Sequence, residues 1–266
     1  MVLTIFTPTF NRADTLKRLY DSLKAQEFKD FEWLIIDDGS TDNTAEIVQE
    51  FISESRINIR YVYQANSGKQ SAWNNAVMIA AGKYFCGVDS DDTLYTTLNL
   101  KIILENYLSV LEESGDVVAI RCPSVNSCTN ELDGKLLSGS NVVLSFIDEF
   151  NDKDYFGERI DIFKIKYLRL RMYPINSEIK FIPELWLYLK TIEDNVKFLY
   201  IPISLRFFYD ESNVNRLSRQ NFKKHAQGHK IVIKEMFKIV PLKSLLLKRP
   251  DMLIKSIIKY IIIAFK

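Results

Sequence analysis

Along the first 121 residues, short continuous apolar runs alternate with stretches in which apolar side chains recur every three or four positions. The runs "LTIFT" (3–7), "FEWLIID" (31–37), "INIRYVY" (57–63), "YFCGV" (84–88) and "DVVAI" (116–120) predict buried strands. Helices are predicted over about 13–26, 43–54 and 69–81, with another before 116. The first of these places Leu16, Leu19, Tyr20 and Leu23 on one face. Gly82 ends the third helix, and "DDGSTDNT" supplies turn and N-cap residues ahead of the second. Such strict alternation predicts an α/β protein with a mainly parallel central sheet flanked by helices on both faces. Ligands of these sheets bind beyond the carboxyl ends of strands, where each polar cluster of this segment falls.

From 122 to 222 the regularity fades. "SVNSCTNELDGKLLSGSN" reads as loop, and "RIDIFK", "KFI" and "VKFLYIPISLRFFY" are short apolar runs that extend the sheet and build a second binding surface. From Lys223 the pattern turns helical, with Ile233, Met236, Phe237 and Val240 at i, i+3, i+4 and i+7. The expected organisation is one domain over 1–222, with a regular half 1–121 and an irregular half 122–222, followed by a basic amphipathic tail, 223–266.

Charge sharpens that division. The 266-residue chain has a net charge of +1, but the tail holds eleven Lys or Arg against two acids, which leaves −8 on residues 1–222. Large apolar area interspersed with lysines, as in "KSLLLKRPDMLIKSIIKYIIIAFK", is the pattern of helices that lie on anionic lipid; a helical cap on the domain is the alternative. Nothing in the chain suggests a nucleic-acid partner. Cys86, Cys122 and Cys128 fit neither a disulfide framework nor a four-ligand zinc site. With no signal-peptide pattern and no apolar stretch long enough to span a bilayer, the expectation is a cytoplasmic protein, which the lipid reading of the tail would place peripherally on the inner face of the cell membrane.

"GKYFCGVDSDDTL" (82–94) crowds Asp89, Asp91 and Asp92 at a strand end, where repulsion and desolvation disfavour them unless something positive joins them. Were the strand to persist through Ser90, Asp89 and Asp91 would face the same side. Two hard oxygens suit Mg²⁺ or Mn²⁺, whose remaining ligands come from water and a diphosphate. The structural alternative is that these acids cap a helix beginning near Thr93. "TPTFNR" (7–12) opens a turn without the glycines of a dinucleotide fingerprint. Asp38 can accept a hydrogen bond from uracil N3–H, and Ser40, Thr41 or Asp42 can cap the next helix without it. "NSGKQSAWNN" (66–75) lacks the first glycine of a phosphate loop, yet Lys69 can meet a diphosphate at a helix N-terminus.

Together, "TIFTPTFNRADTLKRLYDSL", "WLIIDDGSTDNT", "NSGKQSAWNNAV" and "AAGKYFCGVDSDDTL", in this order and spacing, resemble the family-2 inverting glycosyltransferases of bacterial surface glycans. The resemblance covers residues 3–94 closely and implies the A-type, Rossmann-like nucleotide-sugar-binding fold. It implies that Thr7, Pro8, Thr9, Asn11 and Arg12 line the nucleotide pocket and that Asp38 meets the base. Lys69 and Asn74 then approach the ribose or diphosphate, and Asp89, Ser90 and Asp91 form the D-x-D that binds nucleotide and, through Asp89 and Asp91, Mn²⁺ or Mg²⁺. The donor implied is a UDP-sugar, the activity hexosyl transfer, and the acceptor a glycan or lipid-linked glycan.

Inverting transfer needs a base for the acceptor hydroxyl. In "KFIPELWLYLKTIED", Pro183 fits a first helical turn and puts Glu184 at a helix N-terminus, which favours an ionised carboxylate. "KFIPE" also matches the end of a "GEKFIPE"-like stretch of similar proteins, although "NSEI" replaces its Gly-Glu. Glu158 and Glu193-Asp194 are lesser candidates. "DSDDT" also spells the D-x-D-x-T of haloacid dehalogenase-like phosphatases, and a non-catalytic nucleotide-sugar-binding subunit is a further alternative. His225 and His229 have metal-binding spacing, but without the glutamate of H-E-x-x-H, and with Gly228 weakening the helix, they read as surface histidines.

Overall fold

The computed structural model describes residues 1–155, 157–209 and 222–264. Strands β1 (Leu3–Thr9), β2 (Phe31–Asp37), β3 (Asn58–Tyr63) and β4 (Tyr84–Gly87) alternate with helices α1 (Ala13–Lys24), α2 (Thr44–Glu54) and α3 (Lys69–Ile79). The strands pair in parallel in the order β3-β2-β1-β4, as their alternation with helices predicts. Every residue of β2 is buried, because helices cover both faces of the sheet. Leu16, Leu19, Tyr20 and Leu23 of α1 turn inward as expected, and burying each leucine contributes roughly 1.5–3 kcal/mol. Glu32, buried in β2, is satisfied by the Thr4 hydroxyl at 2.6 Å and by Arg60 at 2.9 Å.

The second half comprises β5 (Thr93–Leu94), α4 (Asn99–Glu113), β6 (Val117–Asn126), β7 (Val142–Leu144), α5 (Phe146–Phe150), β8 (Arg159–Lys164), α6 (Ile165–Leu168), α7 (Leu185–Glu193), β9 (Lys197–Tyr200) and β10 (Arg206–Phe208). "RIDIFK" and "VKFLY" are strands, whereas "KFI" (180–182) is not. β8 inserts antiparallel between β4 and β6, while β9 and β10 run parallel to β6. The sheet is therefore parallel in its first half and mixed in its second. Thr93 does not open a helix: β5 pairs antiparallel with β10, and the next helix starts at Asn99.

The tail forms a short 3₁₀ turn at Phe222–His225, then α8 (Ala226–Ile239), α9 (Leu242–Leu247) and α10 (Pro250–Ala264). α8 packs on α7: Val232, Met236 and Val240 join the core that holds Leu187 and Leu189, and Ile233 is also buried. Lys190–Glu235 at 2.6 Å and Lys238–Glu193 at 2.7 Å tie the two helices together. Phe237, expected inward, is exposed, and Val232 takes its place. His225 and His229 are half-buried rather than free on the surface; their rings stand 4.8 and 6.1 Å from that of Phe181. The positions before the tail boundary, 210–221, and the last two of the chain lie outside the described residues.

Candidate active site

The carboxyl ends of β1, β2 and β4 meet the N-terminus of α3, and the loop that enters α7 faces them. At β1, alternation decides which residues reach the cleft. Pro8 lines it, whereas Thr7 is wholly buried, its hydroxyl accepting the Trp33 indole N–H at 2.9 Å. Thr9 is also buried, and its carbonyl accepts the Asp38 N–H at 2.8 Å. Asn11 adopts a left-handed backbone, φ 52°. Its amide oxygen accepts the Thr41 N–H at 2.8 Å and its own N–H donates to Ser40 Oγ at 2.8 Å, which locks the β1–α1 turn to the β2–α2 turn. Arg12 occupies the N-cap position of α1.

Asp38 has a structural role that spacing alone did not reveal. It is only 6% exposed, and its carboxylate accepts Gln64 Nε2 at 2.8 Å, the Ser67 N–H at 2.7 Å and the Gly68 N–H at 2.8 Å. Those bonds shape the loop that delivers Lys69. Asn74 turns its amide to the second half of the chain: Nδ2 donates to the Tyr173 carbonyl and Oδ1 accepts the Tyr173 N–H, each at 2.9 Å. Asn74 thus ties α3 to the second half of the chain, and Trp73 lines the cleft instead.

Lys69 is the centre of the site. Its Nζ lies 2.8 Å from Asp89 and 2.8 Å from Glu184, joining the two halves across a cleft of about 70 Å³. Burial works against the ammonium, but the two carboxylates outweigh it and hold Lys69 well above the ordinary lysine range. Glu184 is the N-cap residue of α7 and 58% exposed, consistent with the expected helix start.

β4 ends at Gly87, and Asp89 to Asp92 form a turn in which the Asp92 N–H donates to the Asp89 carbonyl at 3.1 Å. The premise that strand alternation aligns Asp89 with Asp91 therefore fails. Asp89 faces the cleft, while Ser90 and Asp91 are buried, and Arg18 donates to the Asp91 carbonyl. Asp92 pairs with Arg206 at 3.2 Å; burial pushes its carboxyl up to about 7 against the pull of Arg206, and the Asp89 and Asp91 charges add to the rise. Among the described residues no three His, Cys, Asp or Glu side chains converge to cage an ion. A divalent ion fits this donor set only as Mg²⁺ or Mn²⁺ ordinarily binds beside a diphosphate, with a carboxylate or two from the chain and phosphate and water for the rest.

Each of the lesser base candidates is held in an ion pair, Glu158 with an arginine that itself lines the cleft. Glu158 pairs with Arg206 at 2.7 Å. Glu193 pairs with Lys190 at 2.8 Å, and Asp194 with Arg171, at the far end of α7 from Glu184.

A buried network went undetected in the sequence: Arg121 binds Glu149 at 2.7 Å and Asp161 at 2.6 Å, and Tyr188 OH donates to Asp161 at 2.7 Å. Burial raises the Asp161 carboxyl above the usual range, with Arg121 opposing. Asp161 also lines the cleft. Its one signal was a carboxylate at a core-facing position of "RIDIFK".

A family model described as Glycosyl transferase family 2 matches residues 4–170, more than half of the chain. YibD, an uncharacterized glycosyltransferase of Escherichia coli (strain K12), is 35% identical over 117 residues, covering 43% of this chain and 34% of its own. The chain therefore spans about a third of that relative's length. S. aureus TarS 1-349 in complex with UDP-GlcNAc superposes with a TM-score of 0.66 at 19% identity, over 91% of this chain and 68% of that one. The mannosyltransferase PcManGT from Pyrobaculum calidifontis, in complex with GDP-Man and Mn²⁺, gives 0.61 at 18% identity, over 97% and 73%. These likenesses establish the A-type glycosyltransferase fold. The phosphatase reading of "DSDDT" is set aside, since Asp89 follows the fourth strand of this fold rather than opening it.

Proposed function

The chain belongs to glycosyl transferase family 2, and on that premise we propose that it is an inverting, divalent-metal-dependent transferase. It moves a hexosyl group from a UDP-sugar to a hydroxyl of a growing surface or cell-envelope glycan, free or lipid-linked. The observation that carries this reading is the Lys69 bridge between Asp89 and Glu184, which gathers a cation, a metal-type carboxylate and a base in one cleft.

Pro8, Asn11, Arg12 and Asp38 surround the nucleotide, with Thr7 and Thr9 supporting them from beneath and Asn74 bracing α3. Among the described residues Asp38 Oδ2 accepts one N–H, that of Gly68, which leaves a lone pair for a base N–H. Lys69 moves its ammonium onto the diphosphate, helped by the α3 N-terminus. Asp89, with Asp91 in the same turn, would hold Mn²⁺ or Mg²⁺, which would offset the charge of the diphosphate, while Ser90 meets the nucleotide. Glu184 accepts the acceptor hydroxyl proton as that oxygen bonds to the anomeric carbon. The bond from this carbon to the diphosphate breaks on the opposite face, its electron pair leaves with UDP, and Lys69 steadies the charge.

The UDP-GlcNAc complex of TarS supports a UDP-sugar donor, and the Mn²⁺ complex of PcManGT supports metal use. Residues 1–222 form the catalytic domain in this reading, with 1–121 holding donor and 122–222 holding acceptor. Its tail lies on the inner face of an anionic membrane through α9 and α10. Their outward residues Leu242, Leu246, Leu247, Ile254, Ile257 and Ile261 are exposed, with Lys243, Lys248 and Lys255 exposed among them. No helix among the described residues is long and apolar enough to cross a membrane.

The test is UDP release from a panel of nucleotide sugars, with Mn²⁺ and with EDTA. Manganese-dependent release from one UDP-sugar is expected; release of inorganic phosphate alone, or of nothing, contradicts the reading.

A further inference from the structure

Two glycines on different elements touch consecutive carbonyls of the segment that leads into Glu184. A Cβ at Gly68 would stand 1.9 Å from the Lys180 carbonyl oxygen, and one at Gly228 would stand 1.8 Å from that of Phe181. Both obstacles are backbone atoms, so a side chain at either position displaces the segment rather than a flexible neighbour. Gly68 has a second reason to be glycine, its φ of 96°. Gly228 has none, because it lies inside helix α8, where alanine is the better residue. Its contact with Phe181 accounts for a residue that helix propensity disfavours.

The segment is held along its length. Lys180 Nζ donates to the Asn66 carbonyl at 3.0 Å, and the Ile182 N–H donates to Gln70 Oε1 at 3.4 Å, both on the donor side. The Phe181 ring packs against His225 and His229 on the tail side, and Ile182 is fully buried. Pro183 then fixes one backbone angle, and Glu184 follows with its carboxylate on Lys69. α8 is also pinned to the body of α7 by Lys190–Glu235 and Lys238–Glu193. The helix that Glu184 begins and the strand of chain that precedes it are therefore both seated on the tail.

We propose that Gly228 is a positioning residue for Glu184: by letting α8 approach Phe181 without a side chain, it sets where the base stands relative to Lys69 and Asp89. The tail is on this account a wall of the active site and not an appendage to it. The inference rests on the reading of Glu184 as the base.

The experiment compares full-length Gly228→Ala with the native chain for kcat, donor KM and UDP affinity in Mn²⁺. Displacement of the base is expected to lower kcat by about 100-fold, the scale of a 1 Å misplacement, while donor KM and UDP affinity stay within about twofold. Gln227→Ala, on the exposed side of the same helix, is expected to leave all three unchanged. Native kcat in Gly228→Ala overturns the proposal. Should that variant lose UDP binding altogether, Glu235→Gln, which loosens α8 from α7, decides: lower kcat with intact UDP affinity supports the proposal, and unchanged kcat overturns it. Glu184→Gln run beside them separates the two readings, since full activity there removes the base itself. An inactive Glu184→Gln with a fully active Gly228→Ala removes only the positioning role.

Discussion

On the proposed reading, Lys69 and Glu184 carry the chemistry at the scale of single residues. A lysine between two carboxylates keeps its charge in a partly buried cleft, so a donor diphosphate bound there would meet a cation already in place. Glu184→Gln keeps the hydrogen bond to Lys69 but cannot take a proton. We expect kcat for UDP release in the presence of acceptor to fall by roughly 10²–10⁴, with UDP affinity unchanged; a loss smaller than about threefold contradicts Glu184 as base. The strand-end positions of Asp38 and Asp89 were legible, because turn residues follow apolar runs. Their partners were not. Arg121 lies 28 positions from Glu149 and 40 from Asp161, and no local pattern links residues so far apart. Asn74 shows the converse: a polar residue in a motif whose amide binds a backbone 99 positions away.

Elements were read well wherever periodicity was long, and less well where a few residues decided the outcome. α1 kept its predicted face, whereas the inward side of α8 shifted by one residue, which exposes Phe237 and buries Val232. Burial against neighbouring rings, with Lys259 and His225 nearby, pushes His229 down to about 4. Its neutral form is favoured on folding, so the stability it contributes is full above pH 6.5 and lost as pH falls toward 4. Discounted for partial exposure, that loss is about 1–2 kcal/mol. Thermal melts at pH 7.5 and 5 should show a drop that His229→Phe reduces; an equal drop in both proteins contradicts this assignment.

The outer face of α9 and α10 makes a separate prediction. Native protein should co-sediment with vesicles containing phosphatidylglycerol, more weakly at high salt, and Leu246→Ser with Ile257→Ser should reduce binding at least about tenfold. Equal binding by both forms, or a shift to dimers without vesicles, contradicts the lipid partner.

The parallel half of the molecule followed from alternation alone, since each βα unit is local. The antiparallel insertion of β8 between β4 and β6 joins strands about 75 and 40 positions apart, which short apolar runs cannot encode. That insertion brings Asp161 and α7 to face the donor half, and so creates the cleft. The segregation of charge, −8 over residues 1–222 and +9 in the tail, is in keeping with the proposal that the cleft draws metal and the tail seeks anions. The central claim is that the turn after β4 and the start of α3 together hold a nucleoside diphosphate with a divalent ion. Isothermal titration of the folded, full-length chain with UDP, in Mn²⁺ and in EDTA, tests it most directly. Binding that needs Mn²⁺ and weakens in Asp89→Asn is the predicted result; affinity indifferent to both, or no uptake at all, would contradict the account.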